Sequence, residues 1–533
     1  MKQSIRMISV LFMMLSGGNN AFALDYFSGF YVFGDSLSSE TVYNRITERP
    51  VDSAVNWPSF LRANMFSADD IYENWAVPGY RSWDVFDRIE EYLTIAGTAS
   101  PDSLYVVWGG INDMSHHADH IADSVDSLIQ AGARYVLVPT LHECPARADQ
   151  IIVGFNQDLV KKLAFLHVDL IMADTFSLLN ELYLDPEAYG FNDDPILIDS
   201  LHFSLKTSKI IAQYFQSIIE APQLISILPE FPKSLILSHH LNLMNSINDF
   251  SDKDHTDQFS FFASWNKQTL ELDESDTSVS ADGNHSGLTF GIEYGILENI
   301  DAGIALGMIN ETGDFGNNLG DFQIKSKLLS FYFKFNYKRL VLDAIMTKGS
   351  YQFDEINRHV GLGSIKRVCS GNTQADSFGL AMDISMNLLR KDQFEAGPFV
   401  GIDSEEINLA GYAEEGQLST SMFYDGQDIK TMMVHLGLFA KYKREYSFGK
   451  MYFFGKFRYE SDSQAEERSV RAGLVNFSEI SFEMPGYSPE KNAVIITLGV
   501  SCDFNRNFSG MISYSLTNSG GMGENSIKVG IRY

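Results

Sequence analysis

Two different periodicities divide the chain. Between Leu24 and about Ala221, short apolar runs such as Phe30-Tyr31-Val32-Phe33, Ser103-Leu104-Tyr105-Val106-Val107 and Tyr135-Val136-Leu137-Val138 alternate with longer helix-like stretches. Among the latter are Trp83 to Thr94, His120 to Gly132 and Gln157 to Phe165. Apolar runs of strand length suit strands covered on both faces of a parallel sheet. Their alternation with helices predicts an α/β doubly wound unit.

After about residue 257 the helical period gives way to a period of two. Leu329, Phe331, Phe333, Phe335 and Tyr337 alternate with Ser330, Tyr332, Lys334 and Asn336, and Met451 to Glu460 and Ile527 to Tyr533 behave likewise. Strands with one apolar and one polar face fit either a soluble sandwich or a membrane barrel with lipid outside and water inside. Candidate strands begin near residues 258, 286, 300, 322, 339, 374, 394, 431, 450, 493, 508 and 525. Twelve is an even number, and small or charged residues on one face against Phe, Tyr, Ile and Leu on the other favour the barrel. Between the halves, Gln223 to Asp249 holds two prolines and a helix-like run from Leu235 to Ile247, which reads either as a plain linker or as a helix threading a pore.

Composition sharpens this picture. Lys and Arg number 40 against 69 Asp and Glu, a formal net charge of −29, so a phosphate backbone would be repelled and nucleic acid is excluded as a partner. Cys144, Cys369 and Cys502 are too few and too scattered for a disulfide scaffold or a Cys-rich zinc site. Lys2 and Arg6, the apolar run Met7 to Leu15 and the small-x-small Ala21-Phe22-Ala23 predict a signal peptide over residues 1–23. An exported chain with no long apolar helix must reside in a membrane, if it does, through β-structure.

Candidate chemistry lies in the first half. The strand Phe30 to Phe33 runs into Gly34-Asp35-Ser36-Leu37, which places a serine at the carboxyl edge of the sheet, where open α/β folds hold ligands. The pattern G-x-S-x-G occurs nowhere, so the α/β-hydrolase elbow is excluded. Further along come Asn74-Trp75-Ala76-Val77-Pro78-Gly79, then Trp108-Gly109-Gly110-Ile111-Asn112-Asp113, and finally Asp199-Ser200-Leu201-His202. A carboxylate three residues before an imidazole can orient it and leave the far ring nitrogen free to take a serine proton.

In this order the four stations resemble the GDSL lipase/esterase family, the SGNH hydrolases, over about Phe30 to Ile218. The resemblance implies a flavodoxin-like parallel sheet, Ser36 as nucleophile, His202 as general base and Asp199 as its orienter. It also implies an oxyanion hole of the Ser36 N–H, the Gly79 N–H and the Asn112 side chain, with no cofactor and no metal. Two departures, Ser38-Ser39-Glu40-Thr41 after the motif and Pro78 before Gly79, bear on the shape of the acyl pocket.

The second half resembles the translocator of a type V autotransporter, through its strand count, the aromatic Tyr533 and the preceding helix. This implies a signal peptide (1–23), a hydrolase passenger (24–221), a linker with a pore-threading helix (222–257) and a 12-stranded antiparallel transmembrane β-barrel (258–533). It further implies passage through the Sec translocon, insertion by the barrel-assembly machinery, and a passenger on the surface of a Gram-negative outer membrane among its lipids. The expected activity is carboxylic ester hydrolysis, with lipid or other acyl esters as substrate. The alternatives are a catalytically inactive adhesin on the same barrel, a channel plugged by the front domain, and a secreted soluble lipase. His116, His117, Asp119 and His120 read as a solvated helix start and His239-His240 as helix surface; His142-Glu143-Cys144 follows a buried strand, which leaves a place at the border of the cleft open, but reads rather as loop.

Overall fold

The structure is a computed structural model describing residues 26–533 except 41, 45–48, 52–55, 114–116, 148, 250–256, 392, 417 and 506. The expected signal peptide and His116 lie outside the described residues. The N-terminal half carries β1 (Gly29–Gly34), a small hairpin of β2 (Val42–Asn44) and β3 (Arg49–Val51), α1 (Trp57–Met65), β4 (Ile71–Asn74), α2 (Ser82–Ala96) and β5 (Ser103–Trp108). It continues with α3 (Asp119–Gln130), β6 (Tyr135–Pro139), α4 (Asp149–Leu166), β7 (Ile171–Ala173), α5 (Thr175–Leu184) and α6 (Leu205–Ile225).

Five strands form a parallel sheet in the order β4-β1-β5-β6-β7. Because β1, β5 and β6 are buried on both faces, alternation is absent from their sequences and the apolar runs are continuous. Helix starts are fixed locally: Asn56 accepts the Trp57 N–H at 2.8 Å, Asp174 the Ser177 N–H at 3.1 Å and Ser204 the Thr207 N–H at 3.3 Å. Trp57 of α1 meets Phe215 of α6 edge-on at 5.1 Å, which locks the last helix of this half against the sheet.

The C-terminal half begins with β8 (Phe259–Leu272), β9 (Ala281–Leu297), β10 (Ile300–Phe315), β11 (Gly320–Tyr337), β12 (Leu340–Leu362), β13 (Ile365–Met386), the short β14 (Leu389–Lys391) and β15 (Phe394–Leu409). After β16 (Tyr412–Ala413) and β17 (Met422–Tyr424) come β18 (Gln427–Tyr446), β19 (Gly449–Asp462), β20 (Ser469–Leu474), β21 (Phe482–Pro485), β22 (Asn492–Asp503), β23 (Ser509–Asn518) and β24 (Met522–Arg532). Twelve long strands pair antiparallel with their neighbours, and β24 returns to β8 from Met522↔Leu272 to Arg532↔Phe262, closing the barrel. Its outer face carries the exposed Leu329, Phe331 and Phe333, while Ser330 and Tyr332 between them point inward and are buried. That is the lipid-out, polar-in pattern of a membrane barrel.

The barrel strands start within a few residues of the positions read from alternation, with the largest shift at β13, which begins at Ile365 rather than near 374. Strands β12 and β13 run to 23 and 22 residues, about twice the length that crosses a bilayer. At the start of β13, Lys366, Ser370 and Asn372 alternate with the buried Arg367, Gly371 and Thr373, so neither face is consistently apolar and alternation is not legible there. Strands β16, β17, β20 and β21 form a separate four-stranded sheet against which α6 and β7 pack. The Leu170 N–H beside β7 donates to the Ser481 carbonyl at 2.9 Å, so the edge of the parallel sheet is covered by the barrel's own sheet.

Helix α7 (Glu230–Asp249) lies inside the barrel and is tied to strands all around it. His239 Nε2 is 2.9 Å from Ser330 Oγ on β11, and His240 Nε2 is 2.9 Å from Thr347 Oγ1 on β12. Lys456 of β19 donates to Asn245 Oδ1 at 2.8 Å, Lys528 of β24 to Ser246 Oγ at 2.6 Å, and Ser234 donates to Glu524 at 2.6 Å. His239 and His240 are therefore buried hydrogen-bonding groups, not the solvated helix surface expected from sequence, because the partner surface comes from strands remote in the chain. Glycines on the barrel wall admit the helix: a Cβ on Gly379 would lie 2.7 Å from Ile236 Cδ1 and 2.9 Å from His240 Cε1. Gly379→Leu is accordingly expected to push α7 off the wall and raise conductance in planar bilayers above that of wild type. Unchanged conductance in a correctly inserted variant would contradict this packing.

Candidate active site

Strand β1 delivers the chain to a turn built around Asp35. The Asp35 carbonyl accepts the Ser38 and Ser39 N–H groups at 3.2 and 3.0 Å, and its Oδ1 accepts the Leu37 N–H at 2.9 Å. This leaves Ser36 half-buried at the head of the turn while Asp35 is fully buried beneath it. Burial, reinforced by the negative charge of Asp113, pushes the Asp35 carboxyl up to about 7, with the Leu37 N–H and Arg147 opposing the shift.

His202 reaches the same place from the other end of the domain. It sits on an irregular segment closed by a single bridge between Leu197 and Phe203, with the Ile198 N–H donating to the His202 carbonyl at 2.8 Å. Its Nε2 is 2.9 Å from Ser36 Oγ and its Nδ1 is 2.7 Å from Asp199 Oδ2. The other Asp199 oxygen accepts the Leu201 and His202 backbone N–H groups at 2.7 and 2.8 Å. Partial burial would raise the Asp199 carboxyl, but these N–H groups and the ring more than offset it and hold it below the ordinary carboxylate range. A carboxylate there selects the tautomer with the proton on Nδ1, which leaves Nε2 to accept from the serine.

The other two stations are tied to the serine turn and to each other. Past β4, the Trp75 N–H donates to the Val32 carbonyl at 2.8 Å and the Val77 N–H to the Gly34 carbonyl at 3.1 Å. Gly79 follows on a turn closed by Tyr80 N–H to Val77 carbonyl, exposed and with φ of 83°, a conformation that favours glycine. Asn112, past β5, donates from Nδ2 to the Tyr80 carbonyl at 2.9 Å, and Asp113 accepts the Ser82 N–H at 3.0 Å. One amide hydrogen of Asn112 thus anchors the glycine turn, and an amide carries a second.

His142-Glu143-Cys144 is loop, and its place past a buried strand brings His142 beneath the histidine segment. His142, just past β6 and fully buried, places Nε2 3.2 Å from the Leu201 carbonyl and packs its ring at a tilt, 4.5 Å from that of Phe203. Burial, with the nearby His202 adding to it, pushes His142 down to about 4, so the ring is neutral. The Ala146 N–H donates to the Ser200 carbonyl at 3.1 Å, and Arg147 donates to the Ile111 carbonyl at 2.7 Å, joining the histidine segment to the Asn112 station. The signal for this was a polar residue directly after a buried strand. Cys144 is buried and its thiol pushed up by that burial, which disfavours a reactive thiolate. His117, Asp119 and Asp158 bring ligand atoms within 4.8 Å of one another, but Lys162 stands 2.6 Å from Asp119 and occupies the position of a cation.

Comparison with known proteins adds to this geometry. Residues 259–515 match the family model described as the autotransporter beta-domain. Esterase EstA of Pseudomonas aeruginosa is 25% identical over 508 residues, covering 80% of this chain and 78% of its own. Among solved structures, the translocator domain of the autotransporter NalP from Neisseria meningitidis is 17% identical, spans 59% of this chain and 99% of its own, and superposes with a TM-score of 0.47. A psychrotrophic esterase EstA from Pseudoalteromonas sp. is 17% identical over 36% of this chain and 97% of its own, at a TM-score of 0.26.

Asp35 gives this site a pH signature. Because its folded carboxyl titrates near 7 against an ordinary 3.8, the folded state holds the proton more tightly than the unfolded chain. Its contribution to stability is therefore lost as pH rises from about 4 through 7, by up to about 4 kcal/mol. Asp35→Asn keeps an acceptor for Leu37 but cannot ionise. Calorimetry between pH 5 and 8 is expected to show a smaller fall in the unfolding temperature of the N-terminal domain for the variant than for wild type; parallel curves would contradict the assignment.

Proposed function

We propose that the chain is an esterase autotransporter, an outer-membrane barrel with its N-terminal passenger displayed outside, and that the passenger is a serine hydrolase of acyl esters working through an acyl-enzyme. The observation that carries this reading is the chain Asp199–His202–Ser36, with contacts of 2.7 and 2.9 Å. Ser36 attacks the ester carbonyl as His202 Nε2 takes its proton, and Asp199 holds the ring and steadies the imidazolium that forms. The developing oxyanion is met by the Ser36 and Gly79 N–H groups and the second amide hydrogen of Asn112. Each such donor contributes roughly 3–4 kcal/mol in the transition state. His202 then protonates the leaving alcohol, and water, activated by the same nitrogen, releases the acid.

The residue assignments follow from the resemblance to GDSL lipases and esterases together with this geometry. Residues 1–23 are the proposed leader, 24–221 the passenger, 222–257 the linker with its threading helix, and 258–533 the translocator. The Sec translocon and the barrel-assembly machinery are the proposed biogenesis partners. Fatty-acyl esters, phospholipid among them, are the proposed substrates. Supporting this, Ile198, which precedes Asp199 in the chain, is 67% exposed.

Hydrolysis of p-nitrophenyl esters of graded chain length by intact cells tests the proposal. Ser36→Ala is expected to reduce activity to background with display unchanged, and Asn112→Ala to lower kcat by about 100- to 1,000-fold. Equal rates for wild type and Ser36→Ala, both well displayed, would favour a hydrolase fold kept for binding.

A further inference from the structure

The catalytic Asp and His ride on residues 185–204, which among the described residues form no helix and no strand beyond the Leu197–Phe203 bridge. A segment of this kind takes its order from what it leans on. On the inner side that support is His142. On the outer side it is the barrel. Arg367, buried near the top of β13, donates from Nη2 to the Tyr189 hydroxyl and to Glu181 of α5. Its Nη1 reaches Ser419 Oγ at 3.0 Å and Thr420 Oγ1 at 3.4 Å, and Glu181 also accepts the Ser419 N–H at 2.8 Å and hydroxyl at 2.7 Å. Above Arg367, the tip of the β12–β13 hairpin donates from Ser364 Oγ to the Ala188 carbonyl and from the Gly363 N–H to Gln213 of α6, each at 2.8 Å.

From that clamp the segment runs taut to the site. Tyr189 and Phe191 are buried, Lys206 bonds to the Gly190 carbonyl and to Asp194, and the Ile196 carbonyl accepts from Ser204 N–H at 2.9 Å and Thr207 Oγ1 at 2.6 Å. Asp199 lies ten residues beyond Tyr189. We propose that Arg367 and the β12–β13 hairpin are positioning elements of the hydrolase, so that the passenger gains full catalytic alignment only when docked on its assembled barrel. This rests on the serine-hydrolase reading above. It follows that the passenger is latent in transit and competent once displayed, which confines hydrolysis to the outside of the cell.

The test compares full-length wild type, Arg367→Met and Arg367→Lys in outer membranes, with active sites titrated by a phosphonate and p-nitrophenyl butyrate as substrate. Arg367→Met is expected to lower kcat per titrated site by on the order of 10- to 100-fold with KM within about twofold, because small misplacements of a catalytic group cost rate more than binding. Arg367→Lys should recover part of the loss. A merely structural role would reduce the number of titrated sites and leave kcat per site unchanged, and that result would overturn the proposal. Should Arg367→Met fail to insert, Tyr189→Phe removes the hydroxyl link alone: a several-fold fall in kcat supports the proposal and an unchanged value overturns it. An inactive wild type would strike down the hydrolase reading and this proposal with it, whereas an active wild type with unaffected variants overturns this proposal alone.

Discussion

A strand in hydrocarbon has nowhere to place an unpaired N–H or carbonyl, and from this constraint the rest of the architecture follows. It obliges β24 to pair with β8, so that twelve strands close without an edge. Closure in turn puts every second side chain into a lumen, where Glu293, Arg532, Asp403 and Arg458 are buried and need partners. They find them across strands, in the pairs Arg532–Glu293 and Arg458–Asp403, and the helix Glu230–Asp249 fills the remaining space with donors and acceptors of its own. A helix held in this way brings the chain out at one fixed point on the barrel rim. There the Ile225 carbonyl accepts from Gln427 and Ser226 Oγ accepts the Tyr487 N–H at 2.8 Å, so the last helix of the passenger is anchored where it meets the barrel.

The same reasoning separates the contacts that matter from those that do not. Lys430–Glu406 and Lys325–Asp354 are exposed on the strands and contribute little, as surface ion pairs generally do. Arg358 and Glu414, both in the C-terminal half, are buried and joined by two hydrogen bonds of 2.7 and 2.8 Å, and Arg358 also donates to the Thr420 carbonyl and, at 3.4 Å, to the Ser217 carbonyl of α6. Removing one partner of such a pair strands a buried charge at a cost of about 3–5 kcal/mol. Barrel and passenger are themselves joined by buried polar contacts, the Tyr214 hydroxyl to the Ser419 carbonyl at 2.9 Å and Arg367 to the Tyr189 hydroxyl. This is why an enzyme built on one can lean on the other.

Much of this was legible in the sequence because burial writes itself into periodicity. Continuous apolar runs gave away β1, β5 and β6, and strict alternation gave away the barrel strands and their lipid face. The spacing of Asp199 and His202 brought a carboxylate to the ring nitrogen by local geometry alone, and the structure does place those two beside Ser36. What stayed hidden depends on partners distant in the chain. The burial of His239 and His240 requires Ser330 and Thr347, and the support given by His142 requires the Leu201 carbonyl 59 residues on. Arg367 precedes the strand start near 374 that alternation marks, so nothing local singles it out. Only the extension of β12 and β13 beyond the bilayer, where alternation fades, carries it to Tyr189 and Glu181.

The central claim is that Ser36 is a nucleophile made reactive by His202. Its most direct test is covalent: intact cells displaying the protein are treated with a fluorophosphonate, and the labelled residue is located by peptide mass spectrometry. A single phosphonyl adduct on Ser36 is expected, formed rapidly in wild type and lost in His202→Ala. An adduct on another residue, or none on a fully displayed protein, would contradict it.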